Sequence, residues 1–159
     1  MQFARGQECY AAGNYSKAYY WYREAAELGH AEAALLLGYM SYVGLGVPED
    51  RATAARWYES AAERGSVDAA VLLGRMYESG SGIAVDRAAA ERMYIHAALQ
   101  GHSGAAAALT SMHQVSHRGG VRGVHVTPRR EVYAQRLPRG LHVETERREH
   151  ARERSNGQS

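Results

Sequence analysis

Apolar residues recur at intervals of three and four positions over residues 3–113, which is the spacing of one face of an α-helix. No segment in this range alternates apolar and polar residues in twos, as a half-buried strand would. One helix is predicted at roughly residues 32–42, and another runs from Asp50 to about Glu63. The pattern therefore predicts an all-α fold built from short helices.

The helical pattern repeats with a period of 36 residues. The residues that coincide after this shift include Gly38 with Gly74, Gly44 with Gly80, Gly46 with Gly82, Asp50 with Asp86, Tyr58 with Tyr94 and Gly65 with Gly101. Each period is interpreted as two helices joined by a turn, because Pro48 stops the first helix and Asp50 can cap the second. Glycine inside a helix costs about 1 kcal/mol relative to alanine, so Gly38 and Gly74 predict close contact with a stacked helix.

Residues 37–47 and 57–65 resemble the signature of Sel1-like repeats, and residues 73–86 carry the signature again. Its spaced glycines, alanines and aromatic residues make the resemblance specific. The resemblance implies a right-handed α-solenoid of antiparallel helix pairs, related to tetratricopeptide repeats, with no catalytic residues. Because proteins of this kind act as adaptors and assembly factors, it also implies a non-catalytic adaptor or scaffold.

The first unit is shorter than the others and looks more like a tetratricopeptide repeat. This order, one degenerate unit before full units, is similar to the arrangement in the megalin-binding members of the family in animals. The residues that carry the likeness are Arg5, Gln7, Tyr10, Gly13 and Tyr15. That likeness implies an adaptor for a receptor cytoplasmic tail.

Charge and composition change near residue 116. Residues 1–116 hold nine Lys or Arg and twelve Asp or Glu, whereas residues 117–159 hold ten Arg and five Glu. We predict a solenoid of about three helix pairs plus a terminal helix, starting near Ser103, over residues 1–116. Residues 117–159 are predicted to form a disordered Arg-rich tail, because they offer little apolar surface to bury.

The arginines of the tail leave a second function open. They could contact the phosphates of a nucleic acid or an acidic protein partner. Against nucleic acid, glutamates are interleaved with the arginines, and Tyr133 is the one aromatic residue on which a base could stack. A disordered tail without a specific ligand is the simpler prediction.

The residues that could carry chemistry have simpler structural explanations. Cys9 lies on a predicted helix with no nucleophile signature around it, so a packed thiol is expected. His113 and His117 have the spacing of zinc ligands but lack the glutamate of a His-Glu-x-x-His motif. His30 and His102 follow glycines at the same repeat position and are predicted to be turn residues. The sequence predicts no catalytic residue, no metal, no cofactor and no small-molecule substrate.

Composition favours a cytoplasmic protein. The single cysteine cannot form an internal disulfide. No apolar run approaches the roughly 18 residues of a membrane span, and the N-terminus lacks the pattern of a signal peptide. We therefore predict a cytoplasmic location without membrane insertion.

The first helix of each pair should line the concave side of such a solenoid. If positions 33, 37, 40 and 41 pack inward, helical spacing turns positions 35, 39 and 42 toward the groove. A protein or peptide partner is predicted to bind there, and the alternative is that these tyrosines merely cover the solenoid. The predicted partner-binding residues are Gln7, Tyr10, Leu35, Tyr39, Tyr42, Arg75 and Glu78.

Overall fold

The computed structural model describes residues 1–117, and over these residues it contains seven α-helices and no strand. The helices are α1 (Gln2–Ala11), α2 (Tyr15–Glu27), α3 (Ala31–Val43), α4 (Arg51–Glu63), α5 (Val67–Ser79), α6 (Arg87–Leu99) and α7 (Ser103–His117). Each helix packs against the next one in the chain, first within a pair and then between pairs. The predicted all-α solenoid of helix pairs is confirmed.

The helix bounds follow the 36-residue period without deviation from α2 to α6. Helices α4 and α6 begin 36 and 72 residues after α2, and α5 begins 36 residues after α3. The first pair differs, because Ala12–Asn14 alone connect α1 to α2, whereas residues 44–50 connect α3 to α4. The predicted shortening of the first unit thus lies in its internal turn.

Polar side chains cap the N-terminal ends of α4, α5 and α6. Asp50 accepts a hydrogen bond from the backbone amide of Thr53 at 3.1 Å, and Asp86 accepts one from Ala89 at 2.9 Å. Ser66 caps α5 in the same way through the Ala69 amide. Satisfying these free amides defines where each helix starts.

The two repeat histidines are helix caps, so their prediction as simple turn residues was incomplete. His30 Nδ1 accepts a hydrogen bond from the Ala33 amide at 3.3 Å, and His102 Nδ1 accepts one from the Ala105 amide at 3.2 Å. They occupy the position that Ser66 holds in the repeat between them. The imidazole nitrogen therefore replaces the serine hydroxyl as the acceptor.

The turn inside each repeat contacts the preceding repeat. Gly46 has a φ of 74°, and a Cβ atom on it would lie 2.5 Å from the carbonyl carbon of Tyr15 at the start of α2. The carbonyl oxygen of Gly46 also accepts a hydrogen bond from Ser16 Oγ at 3.0 Å. Glycine is required there both for its backbone angle and for the close approach.

Tyrosines packed on helical glycines form the centre of each pair. Tyr58 is fully buried, and a Cβ atom added to Gly38 would lie 2.5 Å from its ring. Tyr94 lies on Gly74 in the same manner in the next pair. The predicted close contact at these glycines is confirmed, and it explains how the helices tolerate them.

Two predictions about the C-terminal part have different outcomes. A helix starting near Ser103 is present as α7. The predicted disorder of the tail concerns residues that, apart from His117, lie outside those described.

Over residues 1–117, no helix combines the length and the apolar character needed to cross a membrane.

Candidate partner-binding face

The predicted binding residues lie on the first helices of three successive pairs. Gln7 and Tyr10 are on α1, Arg75 and Glu78 are on α5, and the other three are on α3. The period places Tyr39 and Arg75 at one repeat position, and Tyr42 and Glu78 at another. The structure thus puts these residues in matching register on α3 and α5.

Two of the tyrosines are not exposed, so their predicted display on a groove was wrong. Tyr39 keeps 5% of its surface exposed and Tyr10 keeps 7%. Tyr10 packs edge-on against Tyr15, with ring centroids 5.0 Å apart. Helix α3 is apolar almost all round, and helices with that composition are enclosed by their neighbours.

The remaining residues define what we call the open face, made of Gln7, Leu35, Tyr42, Arg75 and Glu78. Gln7 and Glu78 are exposed, while Leu35, Tyr42 and Arg75 are half-buried. The guanidinium of Arg51 lies over the Tyr42 ring, 5.1 Å from its centroid. Such a contact holds the ring in place while part of it stays accessible.

A hydrogen bond joins Tyr94 and Glu78 at the α5 end of the open face. The hydroxyl of buried Tyr94 donates a hydrogen bond to Glu78 Oε2 at 3.0 Å. Burial raises the pKa of the Tyr94 hydroxyl far above its usual value, and the Glu78 carboxylate raises it further. The positive charge of Arg75 lowers the same pKa by a smaller amount.

The sequence interpretation missed two acidic residues that border this face. Glu32 and Asp68 share one repeat position, in the first turns of α3 and α5. Glu32 is exposed, whereas Asp68 Oδ1 lies 3.6 Å from His102 Nε2. The 36-residue shift that aligned the glycines also aligns these two carboxylates and could have revealed them.

The histidines with the spacing of zinc ligands show no sign of a metal site within the described residues. His113 Nε2 lies 2.8 Å from Glu91 Oε1, so this imidazole contacts the neighbouring second helix. The side chain of His117, the other half of the considered zinc pair, lies outside the described residues. Within the described residues, His, Cys, Asp and Glu form no group of three or more that could hold a metal ion.

The helix pairs and the open face define a helical-repeat scaffold of the tetratricopeptide-like class. The family model for the Sel1 repeat matches residues 2–30, 31–66 and 67–102, which together exceed half of the sequence. The chain belongs to the Sel1 repeat family. Proteins built from such repeats commonly mediate protein–protein interactions and are generally non-catalytic scaffolds.

Solved structures of the same architecture resemble the chain. A Sel1 repeat protein from Oxalobacter formigenes is 38% identical with a TM-score of 0.65, and the match covers 69% of this chain and 86% of that one. The antigen c5321, described as protective and present in uropathogenic Escherichia coli strains, displays an SLR fold; it is 31% identical with a TM-score of 0.68, over 77% of this chain. That match covers 27% of the antigen, so this chain corresponds to about a quarter of its length.

A further structural neighbour is the cysteine-rich protein B of Helicobacter pylori. It is 25% identical with a TM-score of 0.57, and the match covers 58% of this chain and 70% of that one. The comparison with curated proteins gives no match.

Proposed function

We propose that the chain is a non-catalytic adaptor or scaffold that binds a protein or peptide partner through the open face. The observation that carries the proposal is the half-burial of Leu35, Tyr42 and Arg75 on α3 and α5, the first helices of two successive pairs. Aromatic and arginine side chains that are held in place yet accessible are the types that dominate binding energy at interfaces. An extended segment or a helix could contact all three.

The outer sides of the second helices provide the comparison surface. On α4 this side is charged and exposed, with Arg56, Glu59 and Glu63. On α6 the corresponding side exposes Ile95 and Leu99, which keep 43% and 84% of their surface accessible. Exposed apolar residues are common on protein surfaces, so we assign the partner to the open face and use α6 as the control.

A cytosolic setting and a receptor cytoplasmic tail as the partner complete the proposal. The likeness of the first unit to megalin-binding family members supports the choice of partner. The single cysteine of the sequence, Cys9, is free in the structure, and a free thiol is compatible with a reducing compartment.

The test compares two double variants of the full chain. Leu35→Gln with Arg75→Gln changes the open face, and Ile95→Gln with Leu99→Gln changes the outer side of α6. After affinity capture identifies a partner, titration of that partner should show binding weakened about tenfold or more by the first pair and unchanged by the second. The reverse result would move the binding surface to the second helices.

A truncated chain that ends at His117 separates the open face from the Arg-rich tail. We expect the truncated chain to bind the partner as the full chain does. If binding disappears with the tail and weakens steeply with salt, the tail carries the interaction instead.

A further inference from the structure

Arg75 is a half-buried cation that forms no ion pair with a carboxylate of the described residues 1–117. Its Nη1 atom is buried and has no hydrogen-bond partner among the described residues. No carboxylate in this part of the chain forms an ion pair with its guanidinium. Burial of an unpaired charged donor is unfavourable, and such a group in a folded protein calls for an explanation.

The two acidic side chains nearest along α5 are engaged elsewhere. Glu78, one turn further along, accepts the hydrogen bond of the Tyr94 hydroxyl. Asp68 faces the imidazole of His102 across the turn before α7. Neither carboxylate forms an ion pair with Arg75. Because Nη1 is buried, an anion from outside could reach the half-buried guanidinium only through its other nitrogen atoms.

The surroundings of Arg75 restrict what that anion can be. Leu35 and Tyr42, half-buried on the first helix of the preceding repeat, could supply apolar contacts to the same bound peptide. The Glu78 and Asp68 carboxylates would repel a doubly charged phosphate more strongly than a singly charged carboxylate. Helix α5 is preceded by α3 and followed by α7 in the series of first helices. A bound peptide could therefore extend beyond Arg75 in both directions, so its terminal carboxylate is not needed for the contact.

Building on the proposed function, we infer that Arg75 anchors the partner by pairing with the carboxylate of an Asp or Glu side chain in a peptide bound across the open face. Arginine suits this role because its planar guanidinium can form two parallel hydrogen bonds to a carboxylate. The partner segment is therefore acidic at the position that meets α5.

The experiment selects binders from a displayed library of random 12-residue peptides, using the immobilised full chain. The peptides are fused at their C-terminal ends, so they offer side-chain carboxylates but no free terminal carboxylate. The peptide most strongly enriched is then synthesised with amidated ends, together with a form in which its acidic residue is changed to Gln or Asn. Both are titrated against the native chain, Arg75→Gln and Arg75→Lys.

We expect one position of the selected peptides to be consistently Asp or Glu. Arg75→Gln should weaken the acidic peptide about tenfold or more, Arg75→Lys should weaken it less, and the amide form of the peptide should bind the native and Arg75→Gln chains equally. If the effect of Arg75→Gln disappears when the acidic residue of the peptide is changed to its amide, the guanidinium and that carboxylate are in contact.

Other results of the selection would overturn the inference. Peptides that lose affinity in Leu35→Gln but show no acidic preference, or that are unaffected by Arg75→Gln, would exclude the carboxylate contact and leave the open face as the binding surface. A selection that enriches no peptide would count against both the inference and the proposed function.

Thermal unfolding of the same variants separates binding from folding. Removing a buried, unpartnered donor should leave the melting temperature of Arg75→Gln unchanged or higher. If Arg75→Gln and an Arg75→Met variant of similar length are both destabilised, Arg75 is a structural residue and the inference is wrong.

Discussion

The indole nitrogen of Trp57 donates a hydrogen bond to the hydroxyl oxygen of Tyr19 at 3.1 Å. The same hydroxyl lies 3.3 Å from Oγ of Ser41, which is buried. These three groups connect α4, α2 and α3, so they join the first repeat to the second. The positions one repeat after Trp57 and Tyr19 are Met93 and Ala55, which lack the polar groups of this contact.

Tyr19→Phe is therefore expected to destabilise the first two repeats, because it leaves the Trp57 indole and the Ser41 hydroxyl without this partner. A loss of about 1–2 kcal/mol in the free energy of unfolding is expected from denaturant titration. Tyr20→Phe, at a neighbouring ring with 48% exposure, is the matched control and should be nearly neutral. Equal effects of the two substitutions would show that the hydrogen bonds contribute nothing measurable.

Gly38→Ala tests the contact between the helical glycine and the Tyr58 ring. Alanine is favoured over glycine in a helix by about 1 kcal/mol, but the new methyl group would lie 2.5 Å from a ring that is fully buried. The steric cost of overpacking should exceed the gain in helix propensity. We therefore expect a net destabilisation of about 1–3 kcal/mol, measured by denaturant unfolding.

Gly104→Ala is the control for helix propensity. Its added Cβ atom would lie 3.0 Å from the end of the His102 side chain, which can shift more easily than a buried ring. We expect this variant to be neutral or slightly stabilised. A Gly38→Ala chain as stable as Gly104→Ala would refute the role assigned to the Tyr58 contact.

Tyr39→Ala should behave as a core substitution, because Tyr39 is almost fully buried. We expect a loss of about 3 kcal/mol or more in unfolding free energy. Gln7 follows Gly6 on α1 as Tyr39 follows Gly38 on α3, but it is exposed, so Gln7→Ala should leave stability unchanged. If Tyr39→Ala keeps full stability but loses partner binding, the tyrosine belongs to the binding surface after all.

Asp50 makes the start of α4 sensitive to acid. The hydrogen bond from the Thr53 hydroxyl, followed by that from the Thr53 amide, holds the pKa of Asp50 below its usual value. Its contribution is complete above the pKa of the unfolded chain and is lost as pH falls through the lower pKa of the folded state. Protonation of Asp50 removes the negative charge that the two hydrogen bonds from Thr53 stabilise.

Asp50→Asn keeps a capping oxygen without the titration. Between about pH 5 and pH 2 the melting temperature should therefore fall more steeply for the native chain than for Asp50→Asn. Glu59→Gln, on the exposed side of the same helix, is the control. Parallel curves for the native and Asp50→Asn chains would show that this cap does not contribute to acid sensitivity.

The elements of the fold were predictable because each depends on local chemistry repeated at a fixed period. Gly44, Pro48 and Asp50 mark the end of one helix and the start of the next without any knowledge of tertiary contacts. The period then fixes which helices pair. The capping role of His30 was available in the same way, since Ser66 holds that position one repeat later.

The binding face was predictable only in part, because exposure depends on how neighbouring helices converge. A helical wheel places Tyr39 beside Leu35 and Tyr42, but it does not show that other helices cover the middle of α3. The apolar run from Ala33 to Met40 was the available warning, since a helix that is apolar all round is enclosed. The orientation of Glu78 likewise depends on Tyr94, which lies on another helix.

Site-specific photo-crosslinking tests the central claim most directly. A photoreactive phenylalanine derivative is placed at position 35 on the open face or, as a matched control, at position 59 on the outer side of α4, and each full chain is illuminated with its captured partner. The account predicts crosslinked partner at position 35 and little at position 59. Crosslinks concentrated at position 59, with none at position 35, would contradict it.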